Sequence, residues 1–459
     1  MPASVSRNIR RAAGSAWIRA APLAVAALLI PGCQEGAPVV VPPPGPDPRG
    51  PWLEANVRPF ADSHLDLPHA DIAFLREIVG DARIVSLGEG THGTRDFFEM
   101  KARILRFLVE KMGFNTFAIE ATWPESRRID HYVRTGKGDP RVLLSGLYFW
   151  TWNTESVLEM IEWMRDHNEA GGDIGFHGFD MQSPGMALHN VREYVQNVDP
   201  ENAAKVAEQL DCLTRHANGP NGWRTSAESY PIQVSSYHSA CAGAMDEVRD
   251  LLLANREAFA SVSGEGDFEV ALQSLRVAFQ YHLQAAEGQN RDVFMAENTE
   301  WISRQIGPEG KMVLWAHNNH VASRPNRQGI YLRQTFGDDM VIFGFSHETG
   351  RFSGADLRPG GAPGLGPHDL EPPVPGSFER VFATVNFPGF FLDLRDRDFD
   401  TQDTYWLGES RLFRSIGCCL SPNYGTWFNT PLAEWYDVII HFKQTRPTTV
   451  LPFRYPESW

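Results

Sequence analysis

The chain has 459 residues, of which 42% are hydrophobic and 22% are charged, and its formal net charge at pH 7 is −15. This composition is typical of a globular protein and excludes a disordered or collagen-like chain. The 57 acidic side chains outnumber the 42 basic ones, which argues against a nucleic-acid partner, because nonspecific binding of nucleic acid needs a basic face. The 13 Trp and 28 Phe residues suit a well-packed core or a pocket for a bulky, partly apolar ligand.

The first residues have the pattern of an export signal. Four arginines precede the apolar run Ala20–Ile30, which is too short to span a bilayer as a mature helix. The run leads into Leu29-Ile30-Pro31-Gly32-Cys33, which resembles a bacterial lipoprotein lipobox. We therefore expect residues 1–32 to be a signal peptide and Cys33 to carry a lipid. Pro31 is unusual in this motif and leaves plain signal-peptidase cleavage open as the alternative.

A proline-rich segment follows over residues 33–51, with seven prolines between Gln34 and Pro51. Such a composition gives an extended, semi-rigid tether. Behind it we expect one α/β domain over residues 52–459, in which residues 184–295 form a mostly helical insertion. The prediction is an exported protein, facing the periplasm or the cell exterior, that the lipid on Cys33 holds at a membrane. The acidic balance offers no electrostatic attraction to an anionic membrane.

The other four cysteines are Cys212, Cys241, Cys418 and Cys419. In an oxidising compartment a disulfide between Cys212 and Cys241 would staple a helical segment, whereas free buried thiols are the alternative for all four. The adjacent Cys418 and Cys419 are not expected to pair with each other, because consecutive residues do not readily reach normal disulfide geometry.

Past the tether, five short apolar runs end in acidic or histidine residues. In chain order they are Arg83–Leu87 before Glu89 and His92, Thr116–Ile119 before Glu120, Ile174–Phe179 before Asp180, Met312–Ala316 before His317 and His320, and Val341–Phe345 before His347 and Glu348. Helical spacing over Asp96–Met112 and Thr154–Asn168 separates several of them. This alternation predicts an α/β fold with a largely parallel central sheet flanked by helices. Ligands bind at the carboxyl ends of such strands, so we expect the site there; the alternative is that loops are simply polar.

Two further segments differ from this pattern. The insertion between about Pro184 and Met295 is expected to pack on the α/β core and to carry the substrate pocket. Its helices are predicted near Glu201–Leu213, Ser235–Ala260 and Phe268–Glu287. From Gly350 to Gly376 the chain is rich in Gly and Pro, which predicts a long irregular surface loop.

The segment Gly88–Gly93 literally matches the GxGxxG dinucleotide-binding pattern, after a predicted strand and before a predicted helix. Against that interpretation, the carboxylate of Glu89 would repel a pyrophosphate in the loop. We therefore favour Glu89 and His92 as the chemical groups. A histidine accepts a proton near neutral pH, and a neighbouring carboxylate fixes its tautomer. Local capping by the two side chains is the alternative.

The pair His317 and His320 follows a very apolar run, at a spacing that suits metal ligation together with Glu89, His92 or Glu120. The HExxH pattern of zinc peptidases is absent, so we favour support of the base or of an oxyanion, with backbone contacts by His317 as a further alternative. We assign no metal ligands and expect no cofactor, although the question whether a divalent metal is needed is left open. No complete GxSxG nucleophile elbow occurs.

Several stretches of the chain resemble the erythromycin esterase family, over roughly residues 55–451. They are Leu87–Phe114 (LGEGTHGTRDFFEMKARILRFLVEKMGF), Phe117–Glu120 (FAIE), Gly178–Gln182 (GFDMQ), Arg291–Asn298 (RDVFMAEN), Leu314–Val321 (LWAHNNHV), Pro372–Glu379 (PPVPGSFE), Phe390–Arg395 (FFLDLR) and Tyr436–Phe442 (YDVIIHF). The GExTHG and WAHNxH blocks together are specific, and the resemblance is weakest across the helical insertion and the tether.

The resemblance implies hydrolysis of a macrocyclic lactone or similar bulky ester without a covalent serine intermediate. It makes His92 the general base and Glu89 the group that orients His92 or the water. The remaining assignments are Glu120 in an acidic wall, His317 and His320 towards the water or the oxyanion, and Lys101, Asp180 and Arg291 as positioning residues. The expected partner is a small-molecule ester, and the expected state is a monomer. A non-catalytic ligand-binding lipoprotein and a metal-dependent hydrolase of a related fold are the alternatives.

Overall fold

The computed structural model describes residues 47–214, 235–361, 364–423 and 425–454. The predicted signal peptide, Cys33 and most of the tether therefore lie outside the described residues. No helix within the described ranges combines the length and apolar character that a membrane crossing requires. The first helix begins at Gly50, two residues before the boundary predicted for the domain.

The described ranges contain helices both before and after the central strands. They are α1 Gly50–Asn56, α2 Leu75–Val79, α3 Arg95–Met112, α4 Trp123–Thr135, α5 Pro140–Ser145, α6 Glu155–Glu169, α7 Gly185–Val198, α8 Pro200–Thr214, α9 Ser235–Ala254, α10 Arg256–Ser263, α11 Glu265–Glu287, α12 Arg291–Ile306, α13 Asn318–Val321, α14 Gln328–Phe336, α15 Phe378–Phe382, α16 Tyr405–Gly408 and α17 Leu432–Trp435.

Most of the strands belong to one mixed sheet. The strands of the described ranges are β1 Arg58–Phe60, β2 Ile84–Leu87, β3 Thr116–Thr122, β4 Gly175–Asp180, β5 Met312–Trp315, β6 Met340–Asp356, β7 Leu365–Asp369, β8 Gly389–Asp393, β9 Ser410–Arg414, β10 Cys419–Leu420, β11 Trp427–Pro431 and β12 Val438–Thr445. The sheet runs in the order β1-β8-β12-β6-β2-β5-β3-β4, and β7 and β10 pair with β6. All pairs from β12 to β4 are parallel, whereas β8 is antiparallel to both of its neighbours.

The central strands are apolar on both faces because helices cover both sides of the sheet. Every residue of β2 and β5 is buried, as expected for a parallel sheet between two helical layers. Along β5, Met312 and Leu314 belong to one hydrophobic core, and Val313 and Trp315 belong to the other. The predicted α/β fold with a largely parallel sheet flanked by helices is confirmed.

Two strands extend beyond their predicted ends. In β3 the register shifts between Ile119 and Thr122, so Glu120 lies inside the strand at an irregularity of the kind that re-aims a side chain. The prediction for His347 and Glu348 is wrong, because β6 continues through both residues to Asp356. Its pairing with β12 and β7 supplies the hydrogen bonds that prolong it.

Helices α7 to α11 lie within the segment predicted as a helical insertion. The segment Gly350–Gly376 is not one irregular loop, since β6 extends into it and β7 forms an antiparallel pair with Arg351–Ala355. Cys212 and Cys241 are joined by a disulfide between α8 and α9.

The sulfur atoms of the adjacent Cys418 and Cys419 contact each other, but the pair does not have normal disulfide geometry, as expected. That expectation rested on the usual Cα separation of about 4.4–6.8 Å in disulfides. Consecutive residues lie closer than this, and here the two Cα atoms are 3.8 Å apart.

Candidate active site

The first group of site residues, which we call the Glu89 cluster, contains Glu89, His92, Lys101 and Trp315. The loop after β2 carries Glu89, whose side chain is fully buried, and Oε1 of Glu89 lies 2.5 Å from Nδ1 of His92. Its other oxygen, Oε2, accepts hydrogen bonds from Nζ of Lys101 on α3 and, at 2.8 Å, from Nε1 of Trp315 on β5. The ammonium of Lys101 also lies 4.0 Å from the centre of the Trp315 ring, a cation–π contact.

The glycines that match the GxGxxG pattern serve close packing in this loop. A Cβ atom on Gly88 would lie 2.2 Å from Oδ1 of Asn318, and one on Gly93 would lie 1.7 Å from the carbonyl oxygen of Ser353. The carbonyl of Gly93 accepts hydrogen bonds from the amides of Ser353 and Thr448, each at 2.9 Å. Contacts with later parts of the chain therefore explain the glycine spacing without a bound phosphate.

Burial and charge act in opposite directions on the ionisable groups of the Glu89 cluster. Burial lowers the pKa of Lys101 to about 8, although the charge of Glu89 favours the ammonium form. For His92, burial favours the neutral ring, but the hydrogen bond and charge of Glu89 outweigh it, so the pKa of His92 is raised. His92 is thus a stronger base than an ordinary histidine. Its Nε2 has no hydrogen-bond partner among the described residues.

The second group, the Arg291 cluster, contains Arg291, Asp292, Glu120, Asp180 and His320. Arg291, at the start of α12, donates from Nε and Nη2 to the two oxygens of Asp180 at 2.9 and 2.6 Å, and from Nη2 to Oε1 of Glu120 at 2.8 Å. Nε2 of His320 lies 3.2 Å from Nη1 of Arg291 and 3.3 Å from Oε1 of Glu120. Its Nδ1 lies 2.7 Å from Oδ1 of Asp292.

Opposite charges compensate for burial in the Arg291 cluster. Burial alone would raise the pKa of Glu120, but the charges of His320 and Arg291 outweigh it and hold that pKa well below its usual range. In the same way, Asp180 and Glu120 outweigh burial and raise the pKa of Arg291. The guanidinium lies between the two carboxylates. Within the described ranges no three His, Cys, Asp or Glu side chains are grouped as metal ligands would be.

His317 connects the two clusters. Its backbone amide donates to Oε2 of Glu120 at 2.9 Å, and its ring centre lies 5.0 Å from that of His92. The backbone amides of Asn319 and Gly417 lie 3.2 Å from its Nδ1 and Nε2, respectively. Burial, with the charges of His92 and His320, lowers the pKa of His317 well below its usual range. The neutral ring, which can accept at only one of its nitrogens, therefore lies among backbone groups.

Gly417 belongs to a segment that sequence reasoning missed, residues 415–419, which we call the Gly417 segment. The amide of Ile416 donates to the carbonyl of Gly90 at 2.8 Å, and the carbonyl of Gly417 accepts from the amide of His92 at 3.1 Å. Gly417 therefore contacts His92 through its carbonyl and His317 through its amide.

Side-chain exposure divides the site residues into two kinds. His92, His320 and Arg291 are exposed to 13%, 15% and 17%. In contrast, Glu89, Lys101 and Asp180 are fully buried. Of these six residues, only the partly exposed ones are accessible to a molecule from solvent. The fully buried ones hold the partly exposed side chains in position.

The structure brings all the predicted site residues of the domain together at the carboxyl edge of the sheet. These are Glu89, His92, Lys101, Glu120, Asp180, Arg291, His317 and His320. His347 and Glu348 are not part of this site, and His347 is buried where its Nδ1 lies 3.3 Å from Oγ1 of Thr445. Sequence reasoning missed Trp315 and Asp292. Strand alternation along β5 and the position of Asp292 directly after Arg291 are the signals that point to them.

Helices α9 and α11 of the insertion, together with α12, border a cavity of about 310 Å³. Its lining includes Leu253, Phe279 and Trp301, but none of the residues of either cluster. The substrate pocket therefore stays a prediction for the insertion. The loop before α6 does reach the site, since Nε1 of Trp152 donates to the carbonyl of Glu120 at 2.9 Å.

Comparisons with known proteins identify the family of the chain. Residues 109–445 match the family model described as erythromycin esterase. The protein YbfO of Bacillus subtilis (strain 168) is 22% identical over 425 residues, covering 87% of this chain and 92% of YbfO. The erythromycin esterase type II of Escherichia coli is 24% identical over 390 residues, covering 76% of this chain and 90% of the esterase.

A solved structure shares the fold. An erythromycin esterase mutant, solved in its open conformation, superposes with a TM-score of 0.67 at 17% identity, covering 87% of this chain and 99% of the mutant chain.

Proposed function

The chain belongs to the erythromycin esterase family and is a hydrolase, and we propose that it cleaves the lactone of a macrolide or a similar bulky ester by general-base activation of water at His92. One observation carries this proposal. Nδ1 of His92 is bound to the buried carboxylate of Glu89, while the ring is partly exposed and its Nε2 has no partner among the described residues.

The hydrogen bond to Glu89 determines which nitrogen of His92 acts. With the Nδ1 proton donated to Glu89, Nε2 carries the lone pair and accepts a proton from water. Lys101 and Trp315 donate to Oε2 of Glu89 and hold its side chain beside the imidazolium that forms. The hydroxide equivalent attacks the ester carbonyl carbon, and the imidazolium then protonates the leaving alkoxide. The products are a carboxylic acid and an alcohol, and such acid–base catalysis contributes about 10²- to 10⁴-fold.

The negative charge of the tetrahedral intermediate needs donors on the other side of the carbonyl. Arg291 and His320 are the partly exposed side chains of the Arg291 cluster, and both carry N–H groups. Their partners Glu120, Asp180 and Asp292 fix them before the substrate arrives, and preorganised donors of this kind stabilise an oxyanion strongly. We assign this role to Arg291 and His320.

A serine nucleophile finds no support near these groups. Oγ of Ser346 lies 2.7 Å from Nδ1 of His441, the distance of a nucleophile–base pair. However, both side chains are almost completely buried between β6 and β12. A bulky ester therefore has no path to Ser346, which favours water as the nucleophile.

The test is mass spectrometry of erythromycin and a panel of simple esters after incubation with the purified protein, with and without a chelator. We expect a ring-opened product that is heavier by one water, and its loss in His92→Ala. His189→Ala replaces an exposed histidine on α7 and is the matched control. A wild type that hydrolyses none of the esters would favour the ligand-binding alternative, and activity lost with the chelator would favour a metal-dependent hydrolase.

A further inference from the structure

Trp152, on the loop before α6, contacts both clusters of the candidate active site. The centre of its ring lies 5.7 Å from that of the His92 ring, and the two ring planes meet at 84°. Its Nε1 donates to the backbone carbonyl of Glu120 at 2.9 Å. The side chain is only 2% exposed, so it acts on the site through these two neighbours and not by touching a substrate.

The carbonyl of Glu120 lies where the strand pairing is irregular. The register between β3 and β4 shifts between Ile119 and Thr122, and the pairing of β3 with β5 ends at Ile119. The indole of Trp152 supplies a hydrogen-bond donor at this point. On the same residue, Oε1 of the Glu120 carboxylate accepts from Nη2 of Arg291 at 2.8 Å. The indole therefore links the ring of the proposed base, through Glu120, to the guanidinium of the proposed oxyanion donor.

Two aromatic neighbours fix the plane of this indole. The ring of Trp315 lies 6.0 Å from that of Trp152 at an angle of 88°, and the ring of Phe98 lies 6.3 Å away at 28°. Trp315 also donates to Glu89, the carboxylate that binds Nδ1 of His92. His92 is thus held by a hydrogen bond at one ring nitrogen and by an edge-to-face aromatic contact, a geometry that aromatic pairs prefer.

Residues 448–451, near the end of the described chain, fasten the loops that carry these two rings. The amide of Thr448 donates at 2.9 Å to the carbonyl of Gly93, next to the proposed base. The amide of Leu451 donates at 2.8 Å to the carbonyl of Asn153, next to the indole, and Nδ2 of Asn153 donates back to the carbonyl of Leu451 at 2.8 Å. One stretch of backbone therefore sets the positions of both rings.

The loop that carries Trp152 also holds a strained residue. Tyr148, four residues earlier, has φ of 67°, in the left-handed region that bulky side chains rarely adopt. Such a conformation persists only where the surrounding structure imposes it, and strained residues of this kind cluster at functional sites. The conformation of this loop is therefore imposed by its contacts and not by local preference.

We propose that Trp152 is a positioning residue of the active site, which sets the distance and the angle between the His92 ring and the Arg291 cluster. In the proposed mechanism water is activated at Nε2 of His92, and the oxyanion forms at Arg291 and His320. Both must lie at a fixed separation for attack on one carbonyl group. The inference rests on the proposed function for its kinetic readout, but not for the titration of His92.

Two substitutions separate the two contacts of the indole. Trp152→Phe retains a ring against His92 and removes the donor to Glu120, whereas Trp152→Leu removes the aromatic ring as well and stays apolar. Trp406 is the matched control, because it is buried and its Nε1 donates to the carbonyl of Asp403 at 2.8 Å. Its aromatic neighbours within the described ranges belong to neither cluster.

The first experiment measures kcat and KM on an ester that the wild type hydrolyses. Trp152→Phe loses one hydrogen bond and should lower kcat about 3- to 10-fold. Trp152→Leu should lower kcat further, up to about 10²-fold, as for a misplaced catalytic group. We expect KM to stay nearly unchanged in both variants, because neither contact involves the substrate. Trp406→Phe and Trp406→Leu should keep a kcat near that of the wild type.

A second readout does not depend on turnover. Burial opposes the rise in the pKa of His92 that Glu89 causes. Trp152→Leu admits water to the ring and weakens the effect of burial, so the pKa of His92 should rise further. In protein labelled with ¹³C at histidine Cε1, the His92 signal, assigned with His92→Gln, should titrate at higher pH in Trp152→Leu but not in Trp152→Phe. The other ionisable groups that face His92 are the same in all these proteins: Glu89, Lys101, Glu120 and His317.

The outcomes separate this inference from the proposed function. A shifted titration in a protein that hydrolyses no ester would support the positioning role while the proposed function fails. An unshifted titration in Trp152→Leu, a loss of kcat no larger than in the matched Trp406 variant, or a loss confined to KM would each overturn the inference. If Trp152→Leu does not fold, the kcat of Trp152→Phe against that of Trp406→Phe decides.

Discussion

The two clusters of the site differ in how the chain assembles them. In the Glu89 cluster, Glu89 and His92 are three residues apart, and Glu89 and Lys101 are twelve apart. In the Arg291 cluster, Arg291 is 171 residues from Glu120 and 111 from Asp180. The Glu89 cluster is built largely within a single turn and helix. The residues of the Arg291 cluster come together only where several strands end.

The clusters also differ in how they use charge. The Glu89 cluster pairs one carboxylate with one ammonium, so that a neutral His92 has a fixed tautomer and a raised pKa. The Arg291 cluster surrounds one guanidinium with carboxylates, which fix the position of its N–H groups. We infer that proton transfer is the task of the local cluster and charge stabilisation that of the long-range one.

The largest expected effect comes from Glu89→Gln. The amide would donate to Nδ1 of His92 and favour the tautomer whose Nε2 carries the proton, so that His92 no longer accepts one. We expect kcat to fall about 10³- to 10⁴-fold, as when the carboxylate partner of a catalytic histidine becomes an amide. Steady-state kinetics measure the loss. The control is Glu379→Gln, which changes a buried carboxyl whose pKa burial raises to about 7. Equal losses in both variants would refute a special role for Glu89.

In the Arg291 cluster, Arg291→Lys keeps the charge but removes the planar fork that holds Asp180 and Glu120 together. We expect kcat to fall about 10²- to 10³-fold, through weaker stabilisation of the oxyanion, with the pH profile of His92 retained. The matched control is Arg327→Lys, because Arg327 donates to Oδ2 of Asp292 and, among the described residues, has no hydrogen bond to Asp180 or Glu120. If Arg291→Lys shifted the pH profile as Glu89→Gln does, the division of tasks between the clusters would be wrong.

A smaller effect is expected from Asp292→Asn, which weakens the contact that orients the His320 ring. Misplacement of a catalytic group by about 1 Å costs up to about 10²-fold, so kcat should fall by no more than that while KM changes little. Comparing this variant with His320→Ala tests the assignment: a larger loss in Asp292→Asn than in His320→Ala would contradict an action of Asp292 through His320.

The smallest expected effect is on the pH dependence. In the proposed mechanism neutral His92 is the active form, and its pKa is raised, so kcat/KM should decline on the acid side at a pH above the ordinary histidine value of about 6.5. Because burial lowers the pKa of Lys101 to about 8, loss of its charge should add a decline above about pH 8. Lys101→Arg should remove only the alkaline decline. A profile that is flat down to about pH 5 would refute His92 as the base.

The sequence indicates the Glu89 cluster well because its chemistry is local. A strand, a tight turn and a helix that starts at Arg95 bring Glu89, His92 and Lys101 together with little help from the remaining chain. The parallel order of the strands was also predictable, since apolar runs alternate with helical segments. Their carboxyl ends then meet at one edge of the sheet, which is how Glu120, Asp180 and His317 could be named.

The errors lie where distant pairing decides the structure. The length of β6, and with it the burial of His347, depends on hydrogen bonds to β12 and β7 that no local pattern shows. The irregular register at Glu120 is likewise a property of the pairing between β3 and β4. Gly417 contacts His92 and His317 through its backbone groups. Because every residue carries such groups, the residue type of Gly417 does not indicate this role.

The close crossing at Gly93 has a consequence for the order of folding. The carbonyl of Gly93 lies at the end of the sequence motif that identifies the site, yet it accepts hydrogen bonds from the amides of Ser353 and Thr448. During synthesis, the segment with Glu89 and His92 emerges long before its partners exist. Contacts of such large sequence separation form slowly, since the intervening chain must first be ordered. We therefore expect the loop with Glu89 and His92 to reach its native conformation late, because a nascent chain that ends before β12 lacks the amide of Thr448 that binds Gly93.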